Sequence, residues 1–242
     1  MPLLIKQTLS EQLCEILKSD ILSGRIKPGD RLVNRELQRR FEVSSTPVRD
    51  AINKLAQEGL LEEVTRTGSR VICVDAEHTA KVNEFIACIS REALTLSAAK
   101  GHMDETVRDC RRILERQQKT ENLNEYFHAD SEFHRVFFNY CENPILTEIY
   151  QRYDMIRLLL IRAAIQTPKE QEKALLQHEE ILNAYRDGNI ALASDLLIRH
   201  YSSGMELIQK GTQELPDTVF CTDVAQKLPD TASGAGSSAA EK

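Results

Sequence analysis

The sequence predicts a mostly α-helical protein in two parts: short helices closed by a small β-hairpin, then an all-α bundle. Three observations predict it. Glycine, proline and short polar clusters punctuate residues 1–75 so closely that only short elements fit between them. Two strand-like runs, residues 60–64 and 69–74, flank Thr65-Arg66-Thr67-Gly68. From Ala76 to about Gly211, only the 3.6-residue period of helices with one inward face is present. The boundaries drawn on this basis are 1–75, 76–211, and a disordered tail over 212–242 that ends in an Ala/Ser/Gly-rich stretch.

Residues 8–22 read as an amphipathic helix with Leu9, Leu13, Ile16, Leu17 and Ile21 inward, stopped by Ser23-Gly24. Lys27-Pro28-Gly29-Asp30 is a turn. Asn34 has the side chain to cap a short helix through Phe41. After the break at Glu42-Val43-Ser44-Ser45, Ser45 or Thr46 caps a second helix. Pro47 lies in its first turn, where its missing N–H leaves no bond unmade. That helix runs to Glu58, and Gly59 ends it. In the second part, breaks near Gly101, residues 120–122, Asn143-Pro144, Thr167-Pro168 and Asp187-Gly188 leave roughly six helices.

Four polar residues stand where buried apolar stripes should run. One stripe reads Leu123, Tyr126, Phe127, then Asp130 and His134, then Phe137, Phe138 and Cys141. Another reads Leu175, His178, Ile181, Leu182 and Tyr185; a third reads Ala193, Leu196, Leu197, His200 and Leu207. Buried without partners, such groups would cost several kcal/mol. Asp130 and His134 are one helical turn apart and point at one spot. A lone inward histidine is more often a hydrogen-bonded core residue than a ligand. Three histidines and an aspartate on three stripes point instead to one shared divalent ion. The donor set suits zinc, held by imidazole nitrogens at about 2.0–2.2 Å, or nickel or a similar ion. His78, His102 and His128 fall outside the pattern.

With 41% hydrophobic and 28% charged residues in 242, the chain has an ordinary globular composition and enough length for two modest domains. The six cysteines, at 14, 73, 88, 110, 141 and 221, form no close pair, and no signal peptide precedes them. Reduced thiols in a cytoplasm are therefore expected. No run reaches the ~18 apolar residues of a membrane helix, so no membrane partner is expected. The net charge of −6 is uneven: residues 1–75 hold 12 basic and 11 acidic residues, the remainder 19 and 26. Only the first part is suited to a polyanion.

The helix after Ser45 has a core face of Val48, Ala51, Ile52 and Leu55 and an opposite face of Arg49, Asn53 and Gln57. A recognition helix works from its N-terminal residues. Ser44, Ser45, Thr46 and Arg49 are the candidates for base and phosphate contacts. Arg35 on the preceding helix, with Arg66, Thr67 and Gly68 at the hairpin tip, would hold backbone phosphates; Arg39 lies on the same exposed face.

These residues resemble a known family. Pro28-Gly29-Asp30-Arg31-Leu32, Arg35-Glu36-Leu37, residues 43–51 (VSSTPVRDA) and Leu55-x-x-Glu58-Gly59-Leu60 look like the winged helix-turn-helix of GntR-type transcriptional regulators. Asp130-x-x-Phe133-His134, Asn143-Pro144, His178-x-x-Ile181-Leu182-x-Ala184, Asp187-Gly188 and His200 look like the all-helical FCD domain of the fatty-acid-regulator branch. The resemblance spans about residues 8–208. It implies a homodimer, usually a repressor, on a short inverted-repeat operator in double-stranded DNA. It also implies a small organic acid, often a carboxylate, bound beside the metal and altering DNA affinity. Two departures stand out. Members usually have Arg where this chain has Ser45. Many carry an acid-holding Arg on the first helix of the ligand domain, where this chain has Cys88; either the effector differs, or Arg91, a turn away, takes that role.

Two rival functions stay open at this point. A metal-dependent hydrolase could use an open coordination position for activated water. However, no H-E-x-x-H motif is present, and Glu179 and Glu180 should point away from the stripe. A regulator whose metal is purely structural is the other. The expectation is a non-enzymatic regulator.

Overall fold

The computed structural model describes residues 7–73, 76–165 and 167–214. Helix α1 (Leu9–Leu22) starts with a capping box: Thr8 Oγ1 accepts from the Glu11 backbone N–H, and the Glu11 carboxylate accepts from the Thr8 N–H. It buries Leu13, Cys14, Leu17 and Ile21. Leu9 and Ile16, expected inward, are exposed instead. The stripe that meets the next helices is narrow, and these two flank it.

Strand β1 (Arg31–Val33) escapes the sequence reading, because three residues show no period. Helix α2 (Asn34–Phe41) follows directly. Asn34 is its first helical residue rather than its cap. The Asn34 side-chain amide donates to the Arg66 carbonyl at 3.1 Å, and its backbone N–H donates to the Thr67 carbonyl at 3.1 Å. The residue ties the hairpin tip to the helical layer. Helix α3 (Ser45–Gln57) begins one residue earlier than a Ser45 cap would place it and two earlier than a Thr46 cap would. Ser44 occupies the extended cap position, with no side-chain cap bond. Val48, Ala51, Ile52 and Leu55 are buried as expected.

Strands β2 (Leu61–Glu62) and β3 (Gly68–Val71) complete an antiparallel sheet of order β1-β3-β2, with Leu32 opposite Ser69 and Leu61 opposite Val71. A Cβ on Gly68 would lie 2.3 Å from the Leu32 carbonyl oxygen. Only glycine lets the central strand approach β1 that closely.

The bundle contains α4 (Ala76–Ala99), α5 (Met103–Lys119), α6 (Leu123–Tyr140), α7 (Pro144–Ala164), α8 (Pro168–Arg186) and α9 (Ile190–Glu214). Its breaks are chemically marked. Asn122, Asn143 and Thr167 each accept from backbone N–H groups of the helix they start, and Pro144 and Pro168 follow two of them. α9 continues past Gly211, where the apolar period fades, because helical hydrogen bonding does not need the stripe. Residues 215–242, and most of the expected tail with them, lie outside the described residues.

Helix α6 buries both flanks of its stripe, with Phe133, Phe137 and Phe138 inside and the Phe138 ring stacked on Tyr150 at 4.0 Å. Leu123, at its start, is exposed. Head and bundle meet on α7. Met155 and Leu159 pack against the head core. Gly59, in the left-handed region at φ +74°, leaves a Cβ position only 2.7 Å from the Arg152 carbonyl oxygen. Cys14, Cys88, Cys110 and Cys141 are free thiols as expected; Cys73 departs from that expectation and is disulfide-bonded. Among the described residues no helix is long and apolar enough to cross a membrane.

Candidate metal centre and nucleic-acid interface

Three helices bring the four stripe-breaking residues to one point. α6 supplies Asp130 and His134, α8 His178 and α9 His200, all buried. One ligand-type atom from each lies within 4.8 Å of all the others. The Nε2 atoms of His178 and His200 are 3.2 Å apart, and His178 Nε2 is 3.7 Å from an Asp130 oxygen. Two nitrogens bonded to one ion at about 2.0–2.1 Å, at angles between square and tetrahedral, stand about that far apart.

The second ring nitrogens of His200 and His134 explain which of their faces are turned inward, whereas His178 Nδ1 is buried with no hydrogen-bond partner. His200 Nδ1 is 3.1 Å from the Gln177 Oε1 acceptor, so Nδ1–H donates and the Nε2 lone pair is left for the centre. His134 Nδ1 is 3.3 Å from the Tyr201 hydroxyl, which lies 2.9 Å from Ser90 Oγ. His134 Nε2 is buried with no hydrogen-bond partner. Phe133 stacks on the His178 ring at 4.3 Å and closes that side. Burial, and then the Arg157 guanidinium, push the His134 and His178 pKa values down, that of His178 to about 3. Burial also pushes His200 down, with His178 the next cause. All three imidazoles are neutral near pH 7, the form that binds metals. A protein-only hydrogen-bonded core would leave His134 Nε2 unsatisfied; an ion at the shared point satisfies it.

Sequence reasoning missed Arg157. It is buried on α7, 3.0 Å from Asp130 and 3.3 Å from Asp154. Asp154 is also paired with Arg135 at 3.0 Å and accepts from Ser131 and from the Tyr150 hydroxyl. Burial alone would raise the Asp154 pKa, but Arg157 and Arg135 outweigh it and hold the carboxyl below its ordinary value. Beside the ligands is a cavity of about 20 Å³, lined by Arg157, His200, Tyr201 and apolar side chains such as Ile86 and Leu160. It has room for about one water. The Arg157 Nη2 is buried without a hydrogen-bond partner.

Arg91 is not brought to this site. Its side chain is exposed on α4, as is that of Cys88, and neither lines the cavity. Arg157 is the buried cation beside the histidines. The resemblance carries a position along α4 but not the rotation that decides which residue faces inward. Glu179 is half-buried and Glu180 exposed, outside the close group of four.

At the other end of the molecule, Ser44, Ser45, Thr46 and Arg49 are exposed at the N-terminal end of α3, where the helix dipole favours anions. Arg35, Arg39, Arg66 and Thr67 are exposed as well. Arg49, Asn53 and Arg66 line one groove between α3 and the hairpin. Gly68 departs from its expected role. It is buried in β3, and its N–H donates to Thr65 Oγ1 at 3.2 Å, so it shapes the tip without facing a phosphate. Thr65, unmarked in the sequence, closes that turn by also donating to the Gly68 carbonyl at 2.8 Å.

Comparisons with known proteins bear on both ends. The family described as "Bacterial regulatory proteins, gntR family" matches residues 9–71, and the FCD domain matches residues 87–203. The HTH-type transcriptional repressor RspR of Escherichia coli (strain K12) is 24% identical over 221 residues, covering 87% of this chain and 93% of that protein. An HTH-type transcriptional regulator in an unstable DNA locus of Streptomyces ambofaciens is 29% identical over 218 residues, covering 86% and 88%. Among solved structures, E. coli McbR/YncC aligns with a TM-score of 0.66 at 18% identity, covering 85% of this chain and 99% of that one. A GntR transcriptional regulator from Rhodococcus sp. RHA1 aligns with a TM-score of 0.64 at 18% identity, covering 83% and 97%. With a winged helix-turn-helix in front and a matching helical domain behind, the chain belongs to the GntR family of bacterial transcriptional regulators, in the group that carries an FCD domain.

Proposed function

We propose that the chain is a cytoplasmic repressor that binds an inverted-repeat operator as a homodimer, and that a small organic acid beside a divalent ion, zinc first, tunes its DNA affinity. The observation that carries this reading is the close approach of Asp130, His134, His178 and His200, drawn from three helices, behind a DNA-binding head. Asp130 and Asp154 are balanced by Arg157 and Arg135. An ion therefore adds two uncompensated positive charges in a buried place, which favours an anion at any open coordination position. The unpartnered Arg157 Nη2 is a second donor for that anion.

The cavity admits a water but not an organic acid, so an effector must move α9 apart from α4 and α7, which together with it supply the wall. That movement is the two-state element through which occupancy would reach the head, with a coupling of about 1–3 kcal/mol. The same small volume favours a second reading, a structural ion with no effector. The test is operator binding by the full-length protein, titrated with a panel of small carboxylates. The expected result is metal at one equivalent per chain and a carboxylate-dependent shift in DNA affinity. Metal without any shift establishes the structural reading; DNA binding absent altogether overturns the proposal.

A further inference from the structure

The groove between α3 and the hairpin measures about 340 Å³. Arg49 and Asn53 of α3 line it from one side, Thr65 and Arg66 of the hairpin from the other, and Asn34 of α2 from behind. Among the described residues no carboxylate lines it. The hairpin tip is held at three successive carbonyls. That of Gly68 accepts from the Thr65 N–H at 2.8 Å, and that of Thr67 from the Asn34 N–H at 3.1 Å. The Arg66 carbonyl accepts from the Asn34 side-chain amide at 3.1 Å.

The two bonds from Asn34 differ in kind. The backbone bond to Thr67 continues the ladder that pairs Leu32 with Ser69 and Val33 with Gly68, and any residue but proline could make it. The bond to Arg66 needs a side-chain donor. One bond leaves the tip able to pivot on β1; two bonds to successive peptide groups fix its orientation. The side chain is also costly where it stands. Asn34 is 6% exposed, and its Oδ1 is buried with no hydrogen-bond partner. An unpaired buried acceptor lowers stability, so packing alone does not account for an amide here. Its side-chain bond reaches 32 residues along the chain to the tip, where Arg66 and Thr67 are exposed.

We propose that Asn34 is a positioning residue for DNA binding: its amide, through the Arg66 carbonyl, holds the hairpin tip so that the Arg66 guanidinium meets a backbone phosphate. Asn34 acts through Arg66 and does not itself touch the duplex. The inference rests on the DNA-binding reading of the head.

The test uses full-length protein and a labelled duplex that the wild-type chain selects from a random-sequence pool. Affinity is read by anisotropy over a series of salt concentrations. Arg66→Ala should flatten the slope of log affinity against log salt by about one, the mark of one lost phosphate contact. Asn34→Leu has the same branched skeleton, cannot donate, and removes the unpaired acceptor, so it should melt no lower than wild type. It should nevertheless weaken binding at least about threefold and flatten the slope in the same direction. In an Arg66→Ala background the same substitution should change affinity by less than about 1.5-fold, because two residues acting as one unit do not add. Asn34→Ala supplies the same readings if leucine prevents folding. A folded Asn34 variant that binds and responds to salt as wild type does overturns the proposal. So does an equal loss in both backgrounds, which makes Asn34 a general support of the head. Wild-type binding that Arg66→Ala leaves unchanged also overturns the proposal, and it alone. A wild-type chain that selects no duplex overturns the DNA-binding reading, and this inference with it.

Discussion

Arg157 is 6% exposed in α7, between two carboxylates that are themselves buried. Removing one member of such a group leaves uncompensated charge in a low dielectric. Arg157→Met should cost about 3–5 kcal/mol in chemical denaturation. A loss below about 1 kcal/mol would mean Asp130 and Asp154 are held by other groups. At the metal centre, His134→Ala combined with His178→Ala should abolish bound metal and leave DNA binding that no longer answers to any acid. Elemental analysis of wild-type protein never exposed to chelator provides the baseline. If it shows no stoichiometric metal, the four residues are a hydrogen-bonded polar core. The four were legible in the sequence because each interrupts an otherwise apolar stripe. Arg157 was not. It sits in the run Met155-Ile156-Arg157-Leu158-Leu159-Leu160-Ile161, where apolar residues surround the helix and nothing marks the arginine as inward. Its partner Asp130 is 27 residues away on another helix.

Among the elements, α3 and the hairpin are the proposed contact with DNA. Arg49→Ala should weaken operator binding by about 1–3 kcal/mol, read by fluorescence anisotropy at fixed salt. Unchanged binding would place the recognition helix elsewhere. Gly68→Ala acts differently, because its Cβ must displace the Leu32 carbonyl from 2.3 Å. Overpacking of this kind costs about 1–3 kcal/mol, so a lower melting temperature is expected, with DNA affinity falling only as the hairpin shifts. The helix limits were legible wherever a side chain caps a helix, as at Thr8, Asn122, Asn143 and Thr167. They were misplaced at Asn34 and Ser44, where no side-chain cap bond forms and the local sequence offers several equally good candidates. Gly68 read as a tip residue because glycine marks turns and close approaches alike; only the register with β1 separates the two.

At the scale of the molecule, the acidic excess lies outside residues 1–75, so charge favours a polyanion at the head over one at the bundle. Dimerisation through the bundle would set two such heads at a half-site spacing. Sedimentation at micromolar concentration should return twice the chain mass, and a monomer there would contradict the inverted-repeat operator. The two-part architecture was legible from the change of periodicity near residue 75. The seat of the head on α7 was not, since Met155 and Leu159 read only as more bundle core.

That seat has a consequence for where the chain can change length. Between positions 152 and 159, α7 turns Met155 and Leu159 toward the head and Asp154 and Arg157 toward the bundle's buried charges. Each added residue rotates everything beyond it by about 100°. An alanine inserted after Met155 therefore splits both faces: Asp154 and Met155 stay in place while Arg157 and Leu159 are rotated away from theirs. Insertions in the turns before Pro144 or after Ala164 carry no such penalty. Length variants of this regulator should accumulate in those turns and be missing from the middle of α7, a pattern that a collection of related sequences can confirm or refute by simple inspection of gaps.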